Sequence, residues 1–268
     1  MNKYLTISLL FFSYVPASYG QQDTTTSETH HAIAQDDPAQ FLTRVEVFNE
    51  LQHHKAIEYL NVTTVRGVIA LGKRFTTRID IPIVYNSTNL SDYARSGLGD
   101  ISVRLLGYKF MESGKSAILA SVEFSFNTAQ SPLLGSGKNI IIPVFTYSFR
   151  IPKRKTIVAL SFQQFYSLWG DESRKEIRWT KLQAFHIKAW SKKIWSVVLP
   201  EFYLDHNNSG GSMDIEAYVF YRFTPRFAVW LKGGTGLFGD HPAKYQWTAE
   251  TGLRYLMLRK ANLAHSKK

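Results

Sequence analysis

From Phe41 onward the apolar residues recur at every second position, and that period restricts the fold more than any other feature of the chain. A helix would repeat at 3.6 residues; a period of two belongs to an extended strand with one apolar and one polar face. In "FTTRIDIPIVY", Phe75, Ile79, Ile81, Ile83 and Tyr85 oppose Thr76, Arg78 and Asp80. Ile101, Val103 and Leu105 oppose Ser102 and Arg104, and Ile118, Ala120, Val122, Phe124 and Phe126 oppose Ser121, Glu123, Ser125 and Asn127. Further on, Ile215, Ala217, Val219, Tyr221 and Phe223 stand against Asp214, Glu216 and Arg222, and Trp247, Ala249, Leu253 and Tyr255 against Gln246, Thr248, Glu250 and Arg254. The pattern predicts twelve strands, at 42–51, 60–72, 75–85, 99–110, 116–128, 139–150, 156–168, 177–190, 194–205, 213–223, 226–236 and 245–257.

The links alternate in length. "GKR", "MESGK", "IPKRK", "SKK" and "TPR" are short, while "HHKAIEY", "NSTNLSDYARSG", "AQSPLLGSGKN", "GDESRKE", "DHNNSGGSM" and "LFGDHPAKY" are longer. With antiparallel neighbours, all short links fall at one end of the sheet and all longer ones at the other. That asymmetry is expected of an outer-membrane barrel, an antiparallel up-and-down β-barrel with tight periplasmic turns. A soluble periplasmic β-sandwich also alternates polar and apolar residues, but its links need no such rhythm. Tyr85, Tyr147, Phe149, Tyr166, Tyr221, Phe223, Trp247 and Tyr255 stand near strand ends, where aromatic girdles meet lipid headgroups.

If the apolar face meets lipid, the polar face lines a lumen. It carries Arg44, Arg66, Arg78, Arg104, Arg222 and Arg254 with Glu46, Glu50, Asp80, Asp100, Glu123, Asp214, Glu216 and Glu250. These charges either bias which solutes pass through a water-filled pore or pair across neighbouring strands and brace the interior shut. Strand number does not decide between them, since twelve lies between filled small barrels and open porins. "SGLGD" at 96–100 has no third glycine and no following Lys-Ser/Thr pair, so it reads as a loop turning into a strand rather than a phosphate cradle.

The formal net charge of +11 lies largely in the short links and the tail, at Lys73, Arg74, Lys153, Arg154, Lys155, Lys192, Lys193, Arg226, Arg259, Lys260, Lys267 and Lys268. There it faces phospholipid headgroups, and nucleic acid is not expected as a partner. Residues 1–20, a short cation-led apolar run ending in small residues, are expected to be a signal peptide. Residues 21–40 are expected to be a flexible polar leader, 41–258 the barrel, and 259–268 a basic tail. The chain contains no cysteine, which excludes thiol chemistry and cysteine metal sites. His30 and His31 have no further ligand at metal spacing, so neither metal nor cofactor is expected.

One alternative from another class is an outer-membrane lipid hydrolase. His206 and Ser209 beside Asp205 are the candidates, but a separation of three places a strand's side chains on opposite faces. His186 is expected to be a wall residue, and Glu201, Tyr203 and Asp205 a polar face on the ninth strand.

The chain resembles the outer-membrane β-barrel family named for the meta-pathway of phenol degradation, and more loosely transporter-like barrels of Gram-negative bacteria. "FLTRVEVFNELQ" (41–52), "RFTTRIDIPIVYN" (74–86), "SGLGDISVRL" (96–105) and "LLGSGKNIIIPVFTYSF" (133–149) carry the resemblance. It continues through "KLQAFHIKAW", "VLPEFYLDH" (198–206) and "ETGLRY" (250–255). The resemblance implies an exported protein of the outer membrane, with outer-membrane lipids, the barrel assembly machinery and small-molecule solutes, hydrophobic or aromatic ones included, as partners. It implies passage or binding without catalytic residues. The chain departs from many such barrels by running past Tyr255 into "LMLRKANLAHSKK" instead of ending on an aromatic residue.

Overall fold

A computed structural model describes residues 35–54, 59–88, 93–208, 210–239 and 245–257. The expected signal peptide, His30 and His31, Ser209 and the expected basic tail lie outside these residues.

The strands are β1 (Arg44–His53), β2 (Leu60–Leu71), β3 (Phe75–Asn86), β4 (Ser96–Leu98), β5 (Ser102–Glu112), β6 (Ser116–Ser125) and β7 (Lys138–Ile151). They continue with β8 (Thr156–Gly170), β9 (Arg178–Ala189), β10 (Ile194–Asp205), β11 (Gly210–Arg222), β12 (Phe227–Phe238) and β13 (Trp247–Leu256). Apart from the β4–β5 step, each pairs antiparallel with its neighbours in sequence, and β1 pairs with both β2 and β13, so the sheet closes on itself. The short β4 and the long β5 both pair with β3 and form one interrupted stave. The wall is therefore the expected twelve-stranded antiparallel barrel. Closure removes every sheet edge, which is what a β-structure in hydrocarbon requires.

The alternation decides which side faces where. Ile79, Ile83, Leu105, Leu160, Leu182, Val219, Leu231 and Leu253 are exposed on the outside, although apolar. A continuous apolar surface on a closed barrel would aggregate in water, and lipid is the solvent that accommodates it. Tyr85, Tyr166, Trp169 and Trp247 ring one end of this belt, and Phe110, Phe149, Trp190, Tyr221 and Phe223 the other. Where polar side chains interrupt the outer face they satisfy one another: Asn49 Nδ2 donates to Asn61 Oδ1 and to Thr63 Oγ1, each at 2.8 Å.

The tight turns form with the expected chemistry, as at Gly72, whose φ of 81° is open to glycine at little cost. A bulge at Leu105 and Leu106 leaves both side chains exposed and shifts the phase of β5. The strict alternation read from the sequence fails there, and Gly107 and Lys109 turn inward.

Part of the interior is apolar. Ile157, Ile187, Ala189, Trp195, Val197, Phe220, Ala228 and Trp230 form one buried cluster inside the staves β8–β12, with Phe48, Phe185 and Tyr218 against it. Trp195 stacks on Phe220, with ring centroids 5.0 Å apart. Trp230 lies across the backbone of β13 at Gly252, where an added Cβ would sit 2.1 Å from Cζ2 of the ring. Gly252→Val is accordingly expected to destabilise the barrel by about 1–3 kcal/mol through overpacking, read as a lower urea midpoint of the folded protein in detergent.

Candidate functional site

The register of the wall brings the expected lumen charges into rows. Arg254 pairs with Glu46, Glu46 with Arg66, and Arg66 with Asp80, so one row crosses four neighbouring staves with alternating sign. Its contacts are close: Arg254 Nε to Glu46 Oε1 is 2.6 Å, and Arg66 holds Asp80 through Nε at 2.7 Å and Nη2 at 3.0 Å. In the adjoining row Arg78 stands opposite Arg104, and Arg104 opposite Glu123. Glu123 accepts from Arg104 Nη2 at 2.5 Å and Arg78 Nη2 at 2.6 Å, and Arg78 Nε lies 3.2 Å from Asp80 Oδ2. The planar fork of arginine suits this bridging of two carboxylates.

A second cluster surrounds Lys232 on β12. Its Nζ lies 2.5 Å from Glu50, 3.2 Å from Glu216 and 3.2 Å from Glu250. The carboxylates have further donors: Tyr218 and Tyr245 to Glu216, Trp230 to Glu250 and Thr248 to Glu50. A third cluster joins Lys181 to Glu201 at 2.9 Å, with Tyr203, Gln183 and Gln163 extending it.

Four expected wall residues are placed differently from the rest. Asp100 does not join the rows; it accepts from Ser136 N at 2.6 Å, Ser136 Oγ at 2.8 Å and Ala129 N at 3.2 Å, and so holds the link between β6 and β7. That link also packs Leu134 against Gly97 and Gly99, and Asn86 donates to Leu133 O at 3.0 Å. Arg222 sits at the short-link rim, donating to Lys192 O at 2.5 Å. Asp214 is fully buried beside Glu201 on the neighbouring strand. Asp205, expected on the polar face of its strand, accepts from Asn207 N and Asn208 N and closes its turn. In the outer loops, hydrogen bonds from Lys138 and then Ser167 hold the Glu176 carboxyl below its usual range.

Of the hydrolase candidates, His206 and Asp205 fall among the described residues. His206 Nε2 lies 2.7 Å from Thr180 Oγ1, which also donates to Gln164 Oε1 at 2.6 Å, and Ser209 lies outside the described residues. His186 is exposed on the outer face between Val158 and Val198. Among the described residues no group of three or more metal-binding side chains is present.

The last residues of the expected leader are tied to the barrel rather than free of it. Gln35, Asp37 and Ala39 are buried. Asp36 accepts from Arg254 Nη2 at 2.8 Å and from the Trp195 indole, Asp37 accepts from Arg150 Nε at 2.6 Å, and Lys109 Nζ donates to Ala39 O at 3.0 Å. Above this segment lies a cavity of about 450 Å³ lined by Arg44, Arg66, Arg78, Arg104, Lys181 and Glu123, among others.

The same barrel occurs in solved structures. An outer membrane channel from Pseudomonas putida F1 superposes with a TM-score of 0.64 at 14% identity, covering 82% of this chain and 99% of that one. The NanC porin matches at 0.59 and 9% identity, over 80% of this chain and 98% of its own. The KdgM porin, solved in complex with disordered oligogalacturonate, matches at 0.56 and 9%, over 79% and 98%. No family model and no curated protein matches the chain. At these identities the likeness is one of fold.

Lys109, Lys181 and Lys232 were not among the expected site residues. Lys109 is hidden behind the bulge. Lys181 belongs to a segment whose phase "KLQAFHIKAW" leaves open, and Lys232 is followed by two glycines that blur the alternation.

Proposed function

We propose that this protein is an outer-membrane channel that passes small solutes and performs no chemistry. One observation carries the reading: a closed barrel with an apolar outer belt encloses a cavity lined by charged groups already fixed by their neighbours. A soluble sandwich does not account for that outer belt.

The brace and filter readings of the wall charges merge in this geometry. The ion pairs run along the wall between neighbouring or next-neighbouring staves, so they stiffen it without filling the cavity. The cavity lining holds Arg44, Arg66, Arg78, Arg104 and Lys181 against Asp36, Asp37 and Glu123, an excess of positive charge that favours anions. The aromatic cluster beside it provides an apolar wall, in keeping with the aromatic compounds that the family resemblance implies.

Proteoliposomes test the proposal. Influx of a small aromatic carboxylate is expected to exceed that of a neutral sugar of similar size, and both to exceed protein-free vesicles. Uptake at the protein-free rate for every solute would refute it.

A further inference from the structure

We propose that residues 35–41 form a strap across the periplasmic mouth and that organic anions release it. The inference rests on the channel reading and names the solute chemistry that opens the channel. The strap touches Lys109 on β5, Arg150 on β7, Trp195 on β10 and Arg254 on β13. Each of these lies within a few residues of the short-link end of its strand, and the four staves are spread around the barrel. The strap therefore crosses the opening rather than lying along one side.

Its attachment is mainly polar. Asp36 and Asp37 present carboxylates to Arg254 and Arg150, and Ala39 N donates to Asp37 Oδ1 at 2.9 Å, which folds the segment into a tight turn. Ala39 is the apolar contact, packed with Ala117 and Leu119 against Phe41. The strap adds no strand to the barrel, so its release breaks no ladder. Arg254 is held from behind by Glu46 and by the rings of Phe220 and Trp230, while its Nη1 makes no hydrogen bond among the described residues. The site is thus a fixed guanidinium with an indole N–H beside it, occupied by a carboxylate on a tether. A free carboxylate makes the same charge-assisted bonds and competes for it. The strap is the internal competitor of the anions the channel passes.

The chain's lack of cysteine gives a direct readout. Ala39 is fully buried, so the thiol of an Ala39→Cys variant should react slowly with a membrane-impermeant maleimide. Citrate is expected to speed labelling by roughly tenfold or more, the factor set by losing one charge-assisted hydrogen bond. Glucose, and sodium chloride at matched ionic strength, should not. Adding Asp36→Asn and Asp37→Asn should give fast labelling without citrate, in protein that keeps the heat-modifiable mobility of a folded barrel. Slow labelling in all samples, or equal acceleration by citrate and chloride, would overturn the strap. Labelling reports release and not flow, so citrate-dependent labelling of a barrel that admits no solute would support the strap and refute the channel.

Discussion

Glu123→Gln is expected to destabilise the folded barrel by about 3–5 kcal/mol, the cost of leaving buried charge without its partner. Glu123 is the carboxylate shared by Arg78 and Arg104, which stand opposite each other in register. Glutamine keeps the shape and one acceptor but removes the charge. Arg104 then has no ion pair in the row, and Arg78 keeps only Asp80 at 3.2 Å. The measurement is the denaturant midpoint of the barrel refolded in detergent. Removing the repulsion as well, with Arg104→Met added to Glu123→Met, should recover part of the loss, because an apolar pair of similar size does not pay for desolvated charge. A Glu123→Gln midpoint equal to that of the parent would mean the row contributes nothing to stability.

Lys232→Met should cost a similar amount, about 3–5 kcal/mol, for the converse reason. Its ammonium neutralises Glu50, Glu216 and Glu250 from three different staves, β1, β11 and β13. Methionine fills the space beside Tyr218 but leaves three carboxylates facing one another. Adding Glu216→Gln and Glu250→Gln to Lys232→Met should restore most of the midpoint, whereas Glu250→Gln alone in the parent should have a smaller effect. If the triple variant is no more stable than Lys232→Met, the loss comes from packing and not from the carboxylates.

The fold was legible in the sequence because one physical rule governs nearly all of it. Lipid outside and a mostly polar lining inside force a period of two, and the exposed positions of Phe75 to Tyr85 and Ile215 to Phe223 keep it even where Val84 or Phe220 puts an apolar side chain inward. The rule breaks where the backbone breaks, as at the bulge after Arg104, and Lys109 was lost for that reason. Asp100 satisfies the alternation yet serves the β6–β7 link, since a residue just before a strand answers to its loop and not to the wall. The pairing of charges depended on register, which periodicity alone leaves open: Arg66 meeting Asp80 follows from the length of the turn at Gly72. The strap was least legible. Its sequence, "QDDPAQF", is as polar as the leader before it, and only the guanidiniums waiting at Arg150 and Arg254, far along the chain, give its aspartates a place.

Single-channel recording in planar bilayers tests the central claim most directly. The full chain is expected to give small, short-lived conductance steps that favour anions. Asp36→Asn with Asp37→Asn should lengthen the openings, and Glu123→Gln should shift the reversal potential further toward anions. Bilayers that stay silent with the parent and with the strap variant alike, although both proteins are folded and inserted, would contradict the account.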